Sequence, residues 1–246
     1  MARRATLIAS KKKESETQTV RLFLAGPYEI ASIDQKLSPA ANAPGVIGQA
    51  YGVLEYDAMM LTPADVAVLG QDMPVALKTW MVPPGKVVSK IIERKNMRIG
   101  LVYFPVLTTP EAVPSVADME AVRKETLTMR SAVDVIIGIS PWGAQAEQAF
   151  LDKFNGTSEP LDVLLGGGLG PGNRGILEPN SATAWVRPFP KGKYLSLVRL
   201  ENIMSRQSES FRKHEPNVRF DVVILDEKIP VDLTMDNLLA SVRVGN

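Results

Sequence analysis

The sequence predicts an α/β protein with two facing mixed β-sheets flanked by helices, and two patterns carry this prediction. From Val20 onward, compact apolar runs alternate with segments of helical periodicity, which is typical of strand–helix units. The last third changes to strands with short connections, so a second sheet is expected there. A chain of 246 residues with 45% hydrophobic residues is long enough to bury such a core. Residues 20–246 are therefore predicted to form a single domain after a polar arm at 1–19.

Each element follows from its local pattern. The arm carries Lys11 to Lys13 and predicts a short helix or strand before a solvated loop. Thr62 and Ser115 are suited to begin helices, since each is followed three residues later by an aspartate that favours the helix dipole. Strands are predicted at 20–25, 57–61, 97–104, 133–139, 161–165, 182–187, 194–200 and 218–225, and helices at 46–54, from 63, and at 119–133, 144–154 and 235–242.

Composition excludes several classes of function. The 28 basic and 27 acidic residues leave a net charge of +1, which gives no electrostatic reason to expect nucleic acid or an anionic membrane as a partner. No apolar run reaches the roughly 18–20 residues that span a bilayer. With no cysteine and one histidine, His214, the chain has no thiolate metal site, and a triad or a histidine-rich metal site would depend on His214 alone.

A glycine-rich segment at 166–175 is the most conspicuous motif. Its second half, Gly170 to Gly175, matches the spacing G-x-G-x-x-G of dinucleotide-binding loops. In such loops a helix begins directly after the glycines and points its N-terminal amides at a pyrophosphate. Here Pro179 would end any such helix within a few residues. A flexible or tightly turned loop is the favoured interpretation, with capture of an anion by backbone amides as an alternative.

Four segments, taken in order, resemble the calcineurin-like metallophosphoesterases. They are Tyr56 to Leu61, Asp134 to Gly143, Leu161 to Gly168 and Leu225 to Asp232. Within that superfamily they are most similar to the catalytic domain of periplasmic 5′-nucleotidases, and the similarity covers roughly residues 3 to 243. The resemblance implies a metallophosphoesterase-like four-layer sandwich.

That superfamily uses two divalent metals held by His, Asn and Asp side chains to activate a water and stabilise a phosphoryl transition state. None of the corresponding positions in this chain has a side-chain donor atom. The resemblance therefore implies a degenerate protein with no metal and no cofactor. The degenerate metal-ligand positions are Pro27, Pro63, Ala64, Pro141, Gly168 and Gly170.

Three functions follow from this degenerate scaffold. The leading hypothesis is a pseudoenzyme kept for protein binding or assembly. The alternative is a hydrolase of phosphoesters or nucleotides with a relocated, carboxylate-based metal site. The third is small-ligand binding where the loops at 26–30, 62–65, 140–143 and 166–175 are expected to converge. Candidate carboxylates for the alternative are Asp57, Asp65, Asp134 and Asp162, and candidate cleft residues for a ligand are Asp65, Trp142, Gly167 and Arg174.

Location and partners are implied by the resemblance alone. Related proteins are mostly exported, which implies a periplasmic or extracytoplasmic location, and some accompany multihaem cytochromes. In the superfamily a strand lies beside the one predicted here at 20–25. We therefore expect residues near Leu7 and Ile8 to fill that place, or a partner chain or second copy to supply a strand.

Overall fold

The computed structural model describes residues 1–14, 19–31, 43–71, 73–154, 161–177, 183–189, 192–201 and 218–243. The chain forms two compact units, Met1–Val82 with Ile224–Asn246, and Pro83–Val223. The elements in chain order are α1 (Ala2–Lys13), β1 (Leu24–Ala25), α2 (Ala43–Leu54), β2 (Ala58–Met59), α3 (Pro63–Leu69), α4 (Val75–Lys78), β3 (Val88–Arg94), β4 (Met97–Tyr103), α5 (Val116–Arg130), β5 (Val135–Ser140), α6 (Ala144–Phe154), β6 (Val163–Gly166), β7 (Ile176–Leu177), β8 (Ala184–Val186), β9 (Tyr194–Leu200), β10 (Val218–Ile224) and α7 (Leu233–Arg243).

The first unit begins with helix α1, in the segment predicted as a polar arm. Ala2, Ala5 and Ile8 recur every three residues and are buried, while lysines occupy the last turn, where positive charge is favoured. Since Leu7 and Ile8 are helical, they do not form the strand that was expected beside β1.

Two short parallel strands, β1 and β2, lie in this unit. Leu24 pairs with Ala58 and Ala25 with Met59. The strand predicted at 20–25 has only two residues in the structure, because its partner β2 is itself only two residues long. Helix α2 packs against α7, and Ala50, Leu54 and Met235 are buried.

The second unit is built on a six-stranded mixed sheet in the order β3-β4-β5-β6-β8-β7. Strands β4, β5, β6 and β8 run parallel, and the edge strands β3 and β7 are antiparallel to their neighbours. One face of this sheet carries the main hydrophobic core with α5 and α6. Residues of that core are Val102, Phe104, Met119, Val122, Met129, Val133, Ile136, Trp142, Ala146, Phe150, Leu151, Phe154, Leu161, Leu164 and Trp185.

The central strands of the sheet are buried on both faces. In β4, Ile99, Leu101 and Tyr103 alternate with Gly100 and the core residue Val102, and each is at most 2% exposed. Burial on both sides is typical of the parallel part of an α/β sheet, which confirms the predicted fold class. Within the described residues, no helix has the length and apolar character needed to cross a bilayer.

Several predicted elements are confirmed and two strands were missed. The helix at 144–154 and the strand at 194–200 match residue for residue, and α3 and α5 begin directly after their predicted caps. Strand β3 was missed because, at the edge of the sheet, its residues are only partly buried and show no clear alternation. Strand β7 was missed because it has only two residues, Ile176 and Leu177, and both are exposed.

Candidate functional site

The loop after β1 is held in place by the carboxylate of Asp65. Tyr28 lies at φ 56°, in the left-handed region. The amides of Tyr28, Ile30 and Ala31 donate to the carboxylate oxygens of Asp65 at 3.2, 3.0 and 2.8 Å. Pro27, one of the predicted degenerate metal-ligand positions, is buried in this loop.

Asp65 also completes the cap of α3. The amide and hydroxyl of Thr62 donate to the Asp65 carboxylate at 2.9 and 2.7 Å, and the Asp65 amide donates to the Thr62 hydroxyl. Burial raises the pKa of Asp65, and the donors from the backbone and from Thr62 oppose that rise. Because five donors engage a carboxylate that is 0% exposed, its oxygens have no free position for a ligand. Pro63 and Ala64 are exposed in the first turn of the helix.

Trp142, predicted as a ligand contact, lies in the hydrophobic core instead. It is 4% exposed and its indole N–H donates to the carbonyl of Pro105 at 2.8 Å. Its ring lies 4.7 Å from Phe104 and 5.9 Å from Phe150, measured between centroids. The indole therefore contributes packing and offers no surface to a ligand.

The glycine-rich loop is wound around the guanidinium of Arg187. The Nε of Arg187 donates to the Pro171 carbonyl at 2.9 Å, and its Nη1 donates to the Gly167 carbonyl at 3.0 Å. Its Nη2 donates to the carbonyls of Gly168 and Leu169 at 3.1 and 3.0 Å. The loop therefore turns carbonyl oxygens towards a cation, which is the opposite polarity to an anion-binding loop.

Glu147 on α6 balances the charge of Arg187. The two side chains form an ion pair, with Glu147 0% exposed and the Arg187 side chain 4% exposed. Glu147 also accepts from the Trp185 indole at 3.0 Å and from the Gly167 amide at 3.1 Å. Burial raises the pKa of Glu147, and the positive charge of Arg187 acts against the rise.

Gly168 and Gly170, which the resemblance assigns to metal-ligand positions, have no room for a side chain. Gly168 lies at φ 75°, and a Cβ there would collide with the Pro141 carbonyl and lie 2.9 Å from the Gly143 amide nitrogen. Gly170 lies at φ 107°, and a Cβ there would lie 2.6 Å from the Cβ of Ala144. Both the backbone conformation and the close approach of neighbours require glycine.

Three of the four candidate carboxylates share one structural role at strand starts. Asp57, Asp134 and Asp162 each stand directly before a parallel strand. Each accepts a hydrogen bond of 2.7 Å from a backbone amide next to or within the neighbouring strand, those of Phe23, Arg98 and Ile136 respectively. Asp162 is also paired with Arg130 at 2.9 Å. These carboxylates therefore fix the register of neighbouring strands.

The structure joins the four predicted loops in two pairs. Asp65 connects 26–31 with 62–65, and hydrogen bonds of 3.0 Å from Gly143 to Gly167 and 2.8 Å from Ala144 to Leu169 connect 140–143 with the glycine loop. Arg174 is exposed, and His214 lies outside the described residues. Among the described residues, no three His, Asp or Glu side chains are grouped so that they could hold a metal ion.

Glu147 and Arg187 were not among the predicted site residues, although the sequence holds a signal for each. Glu147 recurs with Phe150, Leu151 and Phe154 at steps of three and four, so it falls on the buried face of α6. Arg187 directly follows the apolar strand β8. A carboxylate on a buried helix face requires a buried cation, and Arg187 meets that requirement.

These elements define a metallophosphoesterase-like fold, which solved structures confirm over nearly the whole chain. A 5′-nucleotidase precursor from Thermus thermophilus matches with a TM-score of 0.67 at 14% identity, over 99% of this chain and 52% of that one. The sulfate thiohydrolase SoxB of Thermus thermophilus, in complex with glycerol, matches at 0.70 and 14% identity, over 99% and 46%. A protein of Staphylococcus aureus assigned as a 5′-nucleotidase, in complex with α-ketoglutarate, matches at 0.63 and 12% identity, over 98% and 52%.

The chain spans about half the length of these solved structures. No family model matches it, and no curated protein matches its sequence. The likeness therefore establishes the fold, in agreement with the resemblance seen in the sequence.

The two-metal centre of the superfamily does not fit the residues found here. The proline, alanine and glycine residues at the positions that the resemblance assigns to metal ligands have no side-chain donor atoms, and the loop geometry leaves no room for a larger side chain at Gly168 or Gly170. The carboxylates of Asp65 in the first unit and Glu147 in the second are each occupied by protein donors.

Proposed function

We propose that this chain is a non-catalytic protein of the metallophosphoesterase fold, with a binding or structural-subunit role. The observation that carries the proposal is the geometry of Gly168 and Gly170, where no side chain can be accommodated without moving backbone. A site that has only lost its ligands could regain them by substitution. A loop repacked so tightly that a metal-ligating side chain no longer fits cannot regain the site in this way. Such a loop favours a structural or binding role.

The carboxylates offered for a relocated hydrolase site are engaged elsewhere. Asp57, Asp134 and Asp162 accept strand amides, and Asp65 accepts five donors. A hydrated metal needs free carboxylate lone pairs, so these contacts favour the structural role over the hydrolase.

A protein partner is the second part of the proposal. Among the described residues, β1 pairs only with β2, and α1 presents no strand to it. An unpaired strand edge is a template for another chain, so we place a partner strand or a second copy of the protein there. An extracytoplasmic location is proposed with it, because one solved structure of this fold is a precursor form.

The catalytic half of the proposal is tested by assaying phosphodiester and nucleotide substrates with Mn²⁺, Zn²⁺ or Ni²⁺. The Thermus thermophilus 5′-nucleotidase, measured under the same conditions, serves as the positive control. We expect no turnover above the metal-only background. Metal-dependent turnover that copurifies with the folded chain would overturn the proposal.

The structural half is tested by the mass of the purified chain in solution. A dimer, or a stable complex with a partner protein, supports it. Strand β2 donates to the carbonyls of Phe23 and Ala25, so the Leu24 amide is the one that faces the opposite edge of β1. A monomer whose Leu24 amide exchanges slowly without any partner contradicts the proposal, since slow exchange means that this edge is already protected.

A further inference from the structure

Two loops at degenerate metal positions each close around one charged side chain of the same chain. In the first unit, residues 28–31 turn three amides towards the carboxylate of Asp65. In the second unit, residues 167–171 turn four carbonyls towards the guanidinium of Arg187. The first loop surrounds an anion and the second surrounds a cation.

We propose that Asp65 and Arg187 are built-in ions, which order these loops in the way that bound ions order ligand-binding loops elsewhere. The proposal rests on the proposed non-catalytic function, because it explains how the loops keep a fixed shape without a metal. The two loops then keep the same conformation whether or not a metal or ligand is present.

The contacts of Arg187 match the donor set of a guanidinium completely. Arginine has five N–H groups. The acceptors are the carbonyls of Pro171, Gly167, Gly168 and Leu169 and the carboxylate of Glu147, one for each N–H. A lysine has three N–H donors on one atom and cannot reach this set.

An ordinary buried ion pair would not require this arrangement. A pair alone needs only the contact between Glu147 and Arg187 and is weak evidence for stability. Here Arg187 also donates to four backbone carbonyls of the glycine loop. Those of Gly167 and Leu169 accept from the Gly143 and Ala144 amides as well, so Arg187 matters most for the carbonyls of Gly168 and Pro171. The guanidinium is therefore needed for the conformation of the loop as well as for charge balance.

Asp65 holds the other loop by the same principle with the opposite sign. Tyr28, Ile30, Ala31 and Thr62 supply its five donors, four of them backbone amides. Three of these amides belong to one short loop that includes a left-handed residue, Tyr28. Without the carboxylate, these three amides would lose their shared acceptor.

Chemical rescue tests the proposal on the purified chain. Arg187→Ala removes the guanidinium and leaves a hole lined by its acceptors. We expect a lower unfolding temperature and faster amide exchange along the glycine loop. Methylguanidinium, at concentrations that do not change the wild-type unfolding temperature, should raise that of the variant and slow the exchange, whereas methylammonium should not.

Arg219→Ala is the matched control, because the side chain of Arg219 is 62% exposed and pairs with Glu201 at 3.3 Å. Its unfolding temperature should not respond to either cation. An equal response of the two variants, or unchanged loop exchange in Arg187→Ala, would overturn the proposal.

Arg187→Lys decides the question if Arg187→Ala is not recovered folded. The lysine keeps the charge opposite Glu147, so an ion pair alone would preserve wild-type exchange in the loop. If Arg187 acts as a built-in ion, the amides of the glycine loop should exchange fast in Arg187→Lys while the amides of β4 and β5 remain protected.

Asp65→Ala with added formate is the parallel test for the anion, with Asp152→Ala as its control. Formate should stabilise only the first variant, and a failure to do so contradicts the proposal for the first loop. All of these measurements are made without metal or substrate. They therefore stand apart from the activity assay, and a failure of either proposal can be told from a failure of the other.

Discussion

Adding a single methyl group at Gly168 should destabilise the protein by roughly 2–5 kcal/mol. About 1–2 kcal/mol comes from forcing a residue with a Cβ to φ 75°. A further 1–3 kcal/mol or so comes from overpacking against the backbone of Pro141 and Gly143, which cannot rotate away as a side chain can. The loss is a large part of the roughly 5–15 kcal/mol that holds a typical domain folded.

Two other glycines separate these contributions. Gly85 lies at φ 66° with nothing within 4 Å of an added methyl group, so Gly85→Ala should show the backbone cost alone, roughly 1–2 kcal/mol. Gly52 is an exposed residue of α2 with nothing within 4 Å and no left-handed backbone, so Gly52→Ala should stabilise by up to about 1 kcal/mol.

Urea denaturation of the three alanine variants gives the comparison directly. We expect the free energy of unfolding to fall in the order Gly52→Ala, Gly85→Ala, Gly168→Ala. A Gly168→Ala protein as stable as Gly85→Ala would refute the reasoning, because it would mean that a side chain fits the loop after all.

Three further predictions concern buried charges and phenols. Asp162→Ala should lower the free energy of unfolding more than Asp134→Ala, since it loses the ion pair with Arg130 as well as a strand amide, and equal denaturation midpoints would argue against this. Glu147→Ala should lower the free energy of unfolding, measured by urea denaturation, by about 3–5 kcal/mol, because it leaves the charge of Arg187 unpaired. The exposed control Asp152→Ala should lower it by less than about 0.5 kcal/mol. Burial raises the pKa of Tyr56 from 10.0 to about 12, so the phenol's contribution to stability is complete below pH 10 and is lost as the pH rises through 12. Tyr56→Phe should flatten this alkaline decline in unfolding temperature and the exposed Tyr194→Phe should not, and a decline of unchanged slope in Tyr56→Phe would exclude the assignment.

Local signals in the sequence predicted much of the fold. The caps at Thr62 and Ser115 were readable because a hydroxyl and an aspartate three residues apart satisfy each other's amides. The buried strands of the parallel sheet were readable because both of their faces are apolar. Strand β3 was not, because an edge strand is decided by its partner rather than by its own pattern.

The contacts of the candidate site could not be predicted from the sequence, because the residues that form them are far apart along the chain. Glu147 and Arg187 lie 40 positions apart, and only the fold brings them together. The glycine loop showed where tight turns are needed. It did not show that the carbonyls point inward, because that direction is set by Arg187.

The most direct test of the account is a crystal structure of the chain grown with Mn²⁺ and measured for anomalous scattering. The account predicts no anomalous peak near Pro27, Pro63, Ala64, Pro141, Gly168 or Gly170, and density for Arg187 and Asp65 within their loops. Two strong peaks a few ångströms apart at these positions would contradict it, because they would show that the chain assembles a two-metal centre from groups other than those of the superfamily.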